Sequence, residues 1–136
     1  MAENSSCACN DKVVIGRKVQ VVFGGLMTGI EVTAKVDTGA YTGGLHAEEI
    51  KVDNDELYFK PFSKTNPVVR IKDYRQKWVK TSKGDKETRY VIRMPAKVND
   101  VETELELTLA KRSEMKNELL IGRKNLYDKF IVDVSL

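Results

Sequence analysis

The sequence predicts an all-β fold, a small closed barrel with one short C-terminal helix. Three observations predict it. Ile30–Val36 and Val101–Leu109 alternate apolar and polar residues with the period of two of a half-buried strand. Short apolar runs recur between clusters of Gly, Asn, Asp and Pro, as in a chain of hairpins. Only one late stretch, Arg123–Asp128, has a helical composition and follows a glycine.

Taken in order, residues 1–12 read as a flexible, polar N-terminal arm, and 13–136 as a single domain. Val13–Ile15 is a short terminal strand. Arg17–Phe23 places Val19, Val21 and Phe23 on one side, and the glycine-rich turn Gly24–Gly29 returns the chain into Ile30–Val36 as a hairpin. Gly43 and Gly44 point to close backbone packing or a bend rather than a strong strand, and Ala47–Ile50 to a single turn. Asp53–Asp55 is a turn, Glu56–Lys60 a strand, Pro61 and Pro67 bracket a loop, and Val68–Ile71 is a further strand. Gln76–Thr81 and Thr88–Arg93 flank a polar tip with one glycine, Gly84, and form a long hairpin. Asn99-Asp100 is a tight turn into Val101–Leu109. There Thr103, Leu105, Leu107 and Leu109 point inward, and Glu102, Glu104, Glu106 and Thr108 face water. Leu119–Ile121 reads as a strand buried on both faces, and Phe130–Val134 closes the chain.

Composition narrows the function. The 136 residues carry 23 basic and 20 acidic side chains, a net charge of +3, too balanced to argue for nucleic acid. Hydrophobic residues make up 41% and charged residues 32%, the range of a soluble globular protein. No apolar run approaches a membrane span, and the N-terminus lacks the basic start and apolar core of a signal peptide, so the expected location is cytoplasmic. Cys7 and Cys9 read as exposed tail thiols. With one histidine and no His-Glu-x-x-His, no metal site and no cofactor are expected.

The strand Ile30–Val36 delivers Asp37, Thr38 and Gly39 to its end. A carboxylate fixed at a rigid strand end suits chemistry, and Gly39 can take backbone conformations other residues avoid and admit a closely approaching chain. The bare tripeptide arises by chance in roughly a few per cent of chains this long. The plain alternative is a strand followed by a turn in which Asp37 accepts hydrogen bonds from its own loop.

Asp37-Thr38-Gly39-Ala40 resembles the active-site signature of retroviral-type aspartic peptidases. Leu119–Leu126, an apolar strand followed by Gly122-Arg123 and a short helix, resembles their second signature. Lys35–Ala40, Thr42, Leu45-His46-Ala47, Val79–Gly84, Arg89–Ile92, Leu109–Met115 and Phe130–Asp133 are similar to a bacterial and archaeal family labelled ATP-dependent zinc proteases. Its members are regarded as retropepsin-like, and some are encoded beside ATP-grasp peptide ligases. The zinc label finds no support in these residues. The similarity covers about residues 13–135.

This resemblance implies a closed acid-protease barrel that works as a homodimer, each chain giving one Asp37 to a shared dyad. Asp37, Thr38 and Gly39 would be catalytic, with Thr38 bonding across the two-fold axis. Ala40, Tyr41, Gly84 and Arg89 would touch a peptide or protein substrate, the Gly84 hairpin closing as a flap. Gly122 and Arg123 would be structural and support the dimer. Retroviral enzymes carry an acid four residues after the catalytic Asp, paired with the Arg of the second signature. Tyr41 stands there, so Arg123 needs another partner. Arg75, Arg89 and Arg112 either line a cleft for acidic, ligase-made tails or sit on solvated faces. His46 either tunes Asp37 or is an ordinary hydrogen-bonded loop residue, and Trp78 reads as core or flap packing. The terminal strand could pair within one chain or between two. The rival function on the same barrel is a non-catalytic peptide- or amino-acid-binding module.

Overall fold

Six strands close a ring, and its last member is only three residues long. The computed structural model describes residues 12–80, 82–111 and 117–136. The strands are β1 (Val13–Ile15), β2 (Lys18–Phe23), β3 (Glu31–Val36), β4 (Gly43–Asp53), β5 (Glu56–Pro61), β6 (Val69–Ile71), β7 (Arg75–Lys80), β8 (Lys86–Val98), β9 (Val101–Ala110), β10 (Leu119–Ile121) and β11 (Phe130–Val132). A 3-10 turn covers Gly25–Met27, and the single α-helix among the described residues, α1, is Arg123–Leu126. The ring runs β10-β3-β2-β8-β9-β4 and returns to β10. β10 pairs parallel with β3 (Leu120 opposite Lys35) and antiparallel with β4 (Leu120 opposite Gly44). Such closure leaves no open edge on those strands. β5 and β6 extend the sheet from β4, and β7 pairs with β8. The expected all-β closed barrel with one short C-terminal helix is what forms.

The turns follow their residues. Asn99 and Asp100 both have positive φ (44° and 69°), as do Asn54 and Asp55 (52° and 62°), and each pair joins neighbouring antiparallel strands. Asn and Asp tolerate this left-handed region because their short polar side chains bond locally. The β2–β3 hairpin buries Val19, Val21, Ala34 and Val36 with alternate residues outward. Leu45, Leu57, Phe59, Leu105, Leu107, Leu119 and Ile121 fill the interior without exposure.

Four sequence expectations are corrected. Gly43–Asp53 is one long strand, not a bend followed by a turn. Its glycines are packing devices: a Cβ on Gly43 would lie 2.6 Å from the Leu120 carbonyl oxygen and 2.7 Å from Leu107 Cδ2. The turn expected at Ala47–Ile50 is a bulge in the pairing with β5, with Glu49 at φ 52°. Glu106 and Thr108 are buried rather than facing water. Trp78 is 69% exposed on β7, not core. The terminal strand pairs within the chain: β11 lies parallel to β1, Val14 opposite Ile131. The arm, with Cys7 and Cys9, lies outside the described residues apart from Lys12, as does Arg112. Among the described residues, no helix is long and apolar enough to cross a membrane.

Because β4 starts its pairing with β9 at Gly43, where a Cβ would meet Leu107 and the Leu120 carbonyl, Gly43→Ala should destabilise the protein by about 1–3 kcal/mol. A urea melt checks this, a shift in midpoint with unchanged slope being the expected result.

Candidate active site

β3 ends at Val36, and the next residue takes a bond from across the barrel. The Asp37 N–H donates to the Ile121 carbonyl at 2.9 Å, so the candidate nucleophile-activating carboxylate is hung on β10. Ala40 N–H returns to the Asp37 carbonyl at 3.2 Å, and Gly39 N–H donates to Asp37 Oδ1 at 3.0 Å. That last bond is the Asx-type turn foreseen as the plain alternative. Turn and exposure coexist: Asp37 is half-buried, while Thr38, Gly39 and Tyr41 are exposed. Gly39 has no positive φ, contrary to the expectation that it supplies an unusual backbone conformation. Its role is spatial, since a Cβ there would lie 3.2 Å from Asp37 Oδ1.

The second signature locks the first. Gly122 meets the loop so closely that a Cβ would sit 2.5 Å from the Thr42 carbonyl oxygen and 2.7 Å from that of Tyr41. α1 then turns its first N–H groups onto loop carbonyls: Arg123 to Ala40 and Lys124 to Tyr41, both at 2.8 Å. These are the orphan donors every helix start must satisfy. Arg123 finds its replacement partners here. Nη1 donates to the Thr38 carbonyl at 2.9 Å, and the guanidinium stands 5.8 Å from the centroid of the Tyr41 ring. Lys124 Nζ lies 5.9 Å from the same centroid. A ring face thus takes the place of the acid, a cation–π arrangement that needs no buried charge.

Asp37, Thr38, Gly39, Ala40, Tyr41, Gly122 and Arg123 are therefore brought together. Gly84 and Arg89 lie apart from them on the β7–β8 hairpin. Gly84 has φ 88° at the tip, and Arg89 pairs with Glu87 on its own strand at 2.9 Å. His46 is fully buried in β4, not in a loop, with Nε2 2.6 Å from Glu48 Oε2.

Sequence reasoning missed Glu106. Its side chain is buried on β9 beneath three cations: Lys124 Nζ at 3.0 and 2.9 Å from the two carboxylate oxygens, Arg75 Nη2 at 3.0 Å and Arg93 Nε at 3.6 Å. Its N–H donates to Asn125 Oδ1 at 2.9 Å, one residue before β4 begins to pair with β9 at Leu107. Burial alone would push this carboxyl up. The Lys124 hydrogen bond and the charges of Lys124, Arg75 and Arg93 outweigh burial and hold it below its ordinary value. The one available signal was the excess of cations in Arg75, Arg93 and Lys124, which the alternation of β9 did not connect to it.

The family model for RimB-like proteins, described as "Retropepsin-like aspartic endopeptidase RimB", matches residues 14–136. The chain belongs to this family. A probable alpha-L-glutamate ligase of Desulfotalea psychrophila is 35% identical over 114 residues, covering 77% of this chain and 25% of the ligase. One from Shewanella pealeana is 30% identical, covering 93% of this chain and 29% of the ligase. The chain therefore spans only about a quarter of the length of these curated relatives. A solved structure of the Legionella pneumophila protein Lpg0085, of unknown function, shares the fold at TM-score 0.68, with 24% identity and coverage of 91% of this chain and 95% of that one.

Two outcomes follow from this geometry. Arg123→Met, which frees the Thr38 carbonyl and the Tyr41 ring face, should cost about 1 kcal/mol in a denaturant melt. Glu106→Gln should cost about 1.5–3 kcal/mol at neutral pH. Because the folded-state carboxyl lies below its unfolded value, this contribution is fully present above the ordinary carboxylate range. It fades as pH falls through the depressed value. Thermal melts of both proteins from neutral to acid pH should therefore converge only below the ordinary carboxylate range.

Proposed function

We propose that this protein is an aspartic endopeptidase that acts as a homodimer. The observation that carries the reading is the Asp37–Gly39 loop, half-buried at Asp37 and exposed beyond it, locked from behind by Gly122 and Arg123 in a chain of the retropepsin-like family. The chain contains a single Asp-Thr-Gly, so the second carboxylate of a dyad comes from a two-fold-related copy. Half-buried Asp37 beside exposed Thr38 and Gly39 at a strand end suits such a meeting.

Two carboxylates that close cannot both ionise, and they share one proton. The ionised Asp37 takes a proton from a water held between them, and the water oxygen bonds to the substrate carbonyl carbon. The protonated Asp37 gives its proton to the carbonyl oxygen, forming a neutral tetrahedral diol. On collapse the C–N bond breaks, the amine leaves with a proton returned from the dyad, and a hydroxyl proton restores the shared state. Thr38 steadies the two loops, and Arg123 holds the Thr38 carbonyl on the far side. Ala40 and Tyr41 line the way in, and the hairpin carrying Gly84 and Arg89 covers the substrate.

Acidic, ligase-made peptide tails are the proposed substrates. Matching segments occur in proteins named alpha-L-glutamate ligases, and Arg75, Arg93 and Lys124 give the α1 side of the barrel exposed positive charge. The second reading, a module that holds a peptide or amino acid without cutting it, is favoured by one observation. The matched segment is a quarter of each ligase, where a product-holding unit would also serve.

Cleavage by wild type and Asp37→Asn, scanned from acid to neutral pH with a mixed library that includes glutamate-rich peptides, separates the two. Both proteins are first shown to be folded and equally dimeric. The expected result is cleavage by wild type and a loss of at least about 10³-fold in the mutant. Binding of peptide by a stable wild-type dimer without cleavage at any pH would select the module.

A further inference from the structure

Glu106 lies on the outward face of β9, yet it is 5% exposed and gathers cations from three different elements. Lys124 comes from α1, Arg75 from the first residue of β7, and Arg93 from β8, directly opposite Glu106 in the β8–β9 pairing. Lys124 also ties its own N–H to the Tyr41 carbonyl, and its neighbour Arg123 holds Ala40 and Thr38. A continuous set of bonds therefore runs from the base of the β7–β8 hairpin, through one carboxylate, to the loop that carries Asp37.

We propose that Glu106 is a positioning residue that clamps the base of the β7–β8 hairpin to α1 and thereby sets the Asp37 loop against the hairpin. The proposal rests on the peptidase reading for its consequence, a fixed height of hairpin over loop. Its geometry needs no substrate. Removing the charge leaves three cations facing one another around a buried amide, so the clamp should open on both sides at once. Asn125, which accepts the Glu106 N–H, keeps β9 itself in register, so loss of the carboxylate need not disturb the barrel.

The decisive variant is Arg75→Gln. Arg75 is largely exposed, so this protein should fold, and no hydrogen bond or ion pair joins Arg75 to α1 or to the Asp37 loop directly. Amide hydrogen exchange would be read at Arg123 and Lys124, whose N–H groups bond the loop, along β7, and at Val21 in the β2–β3 hairpin as an internal reference. Arg75→Gln should raise exchange at Arg123 and Lys124 severalfold with Val21 unchanged, and Glu106→Gln should raise it about tenfold. Adding Arg75→Gln to Glu106→Gln should add nothing, since the path is already cut. Unchanged exchange at Arg123 and Lys124 in Arg75→Gln, or additive effects in the double variant, would overturn the proposal. So would an equal rise at Val21 in Arg75→Gln, which marks general loosening. Exchange requires no turnover, so a wild type that cuts no peptide would sink the peptidase reading alone.

Discussion

The structure depends on the three residues of β10. Leu119–Ile121 fill the gap between β3 and β4, parallel to one and antiparallel to the other, and without them the ring stays open. The same strand supports the site, since the Ile121 carbonyl takes the Asp37 N–H and the next residue, Gly122, presses against the loop carbonyls. Barrel closure and placement of the candidate carboxylate are thus one event. A three-residue strand has few bonds to lose, so the burial of Leu119 and Ile121 and the fit of Gly43 must hold it. Leu119 accordingly lies opposite Leu45 and Leu120 opposite Gly44, with Gly43 filled against the Leu120 carbonyl.

Much of the fold could be read from the chain because local rules and global packing agree there. Val19, Val21 and Phe23, Ala34 and Val36, and Leu105, Leu107 and Leu109 are buried in the alternation their spacing foretells. Asn54-Asp55 and Asn99-Asp100 turn where their φ tolerance allows. The misreadings share a different cause. Gly43 and Gly44 look like breakers, yet both lie in β4, and at Gly43 the approach of Leu120 and Leu107 leaves no room for a side chain. Glu106 follows the same alternation as Glu102 and Glu104. What separates it is α1 and Arg75 folding over its position, a long-range event that period-two patterning does not encode. Trp78 looks like core by type and is exposed because its partner strand has a polar outer face.

At the loop, Asp37, Gly122 and Arg123 came together as their resemblance implied, but the chemistry around Arg123 did not follow from it. With Tyr41 in place of an acid, the loop carries no second negative charge near Asp37. Arg123 spends its hydrogen bond on the Thr38 carbonyl and its face on the Tyr41 ring. An added carboxylate in the loop would raise the cost of ionising Asp37. A phenol ring holds the arginine without that cost.

The displaced negative charge reappears one residue along the helix. Lys124, adjacent to Arg123, finds its carboxylate in Glu106 on β9 rather than in the loop. Moving the acid from the loop to the barrel wall changes what it can hold. An acid in the loop would reach only the arginine behind it. Glu106 reaches the helix, β8 and the base of the hairpin together. Its three cations outweigh its burial and hold its carboxyl below the ordinary value. The charge that joins helix, barrel wall and hairpin base is therefore favoured by the same three groups that it holds.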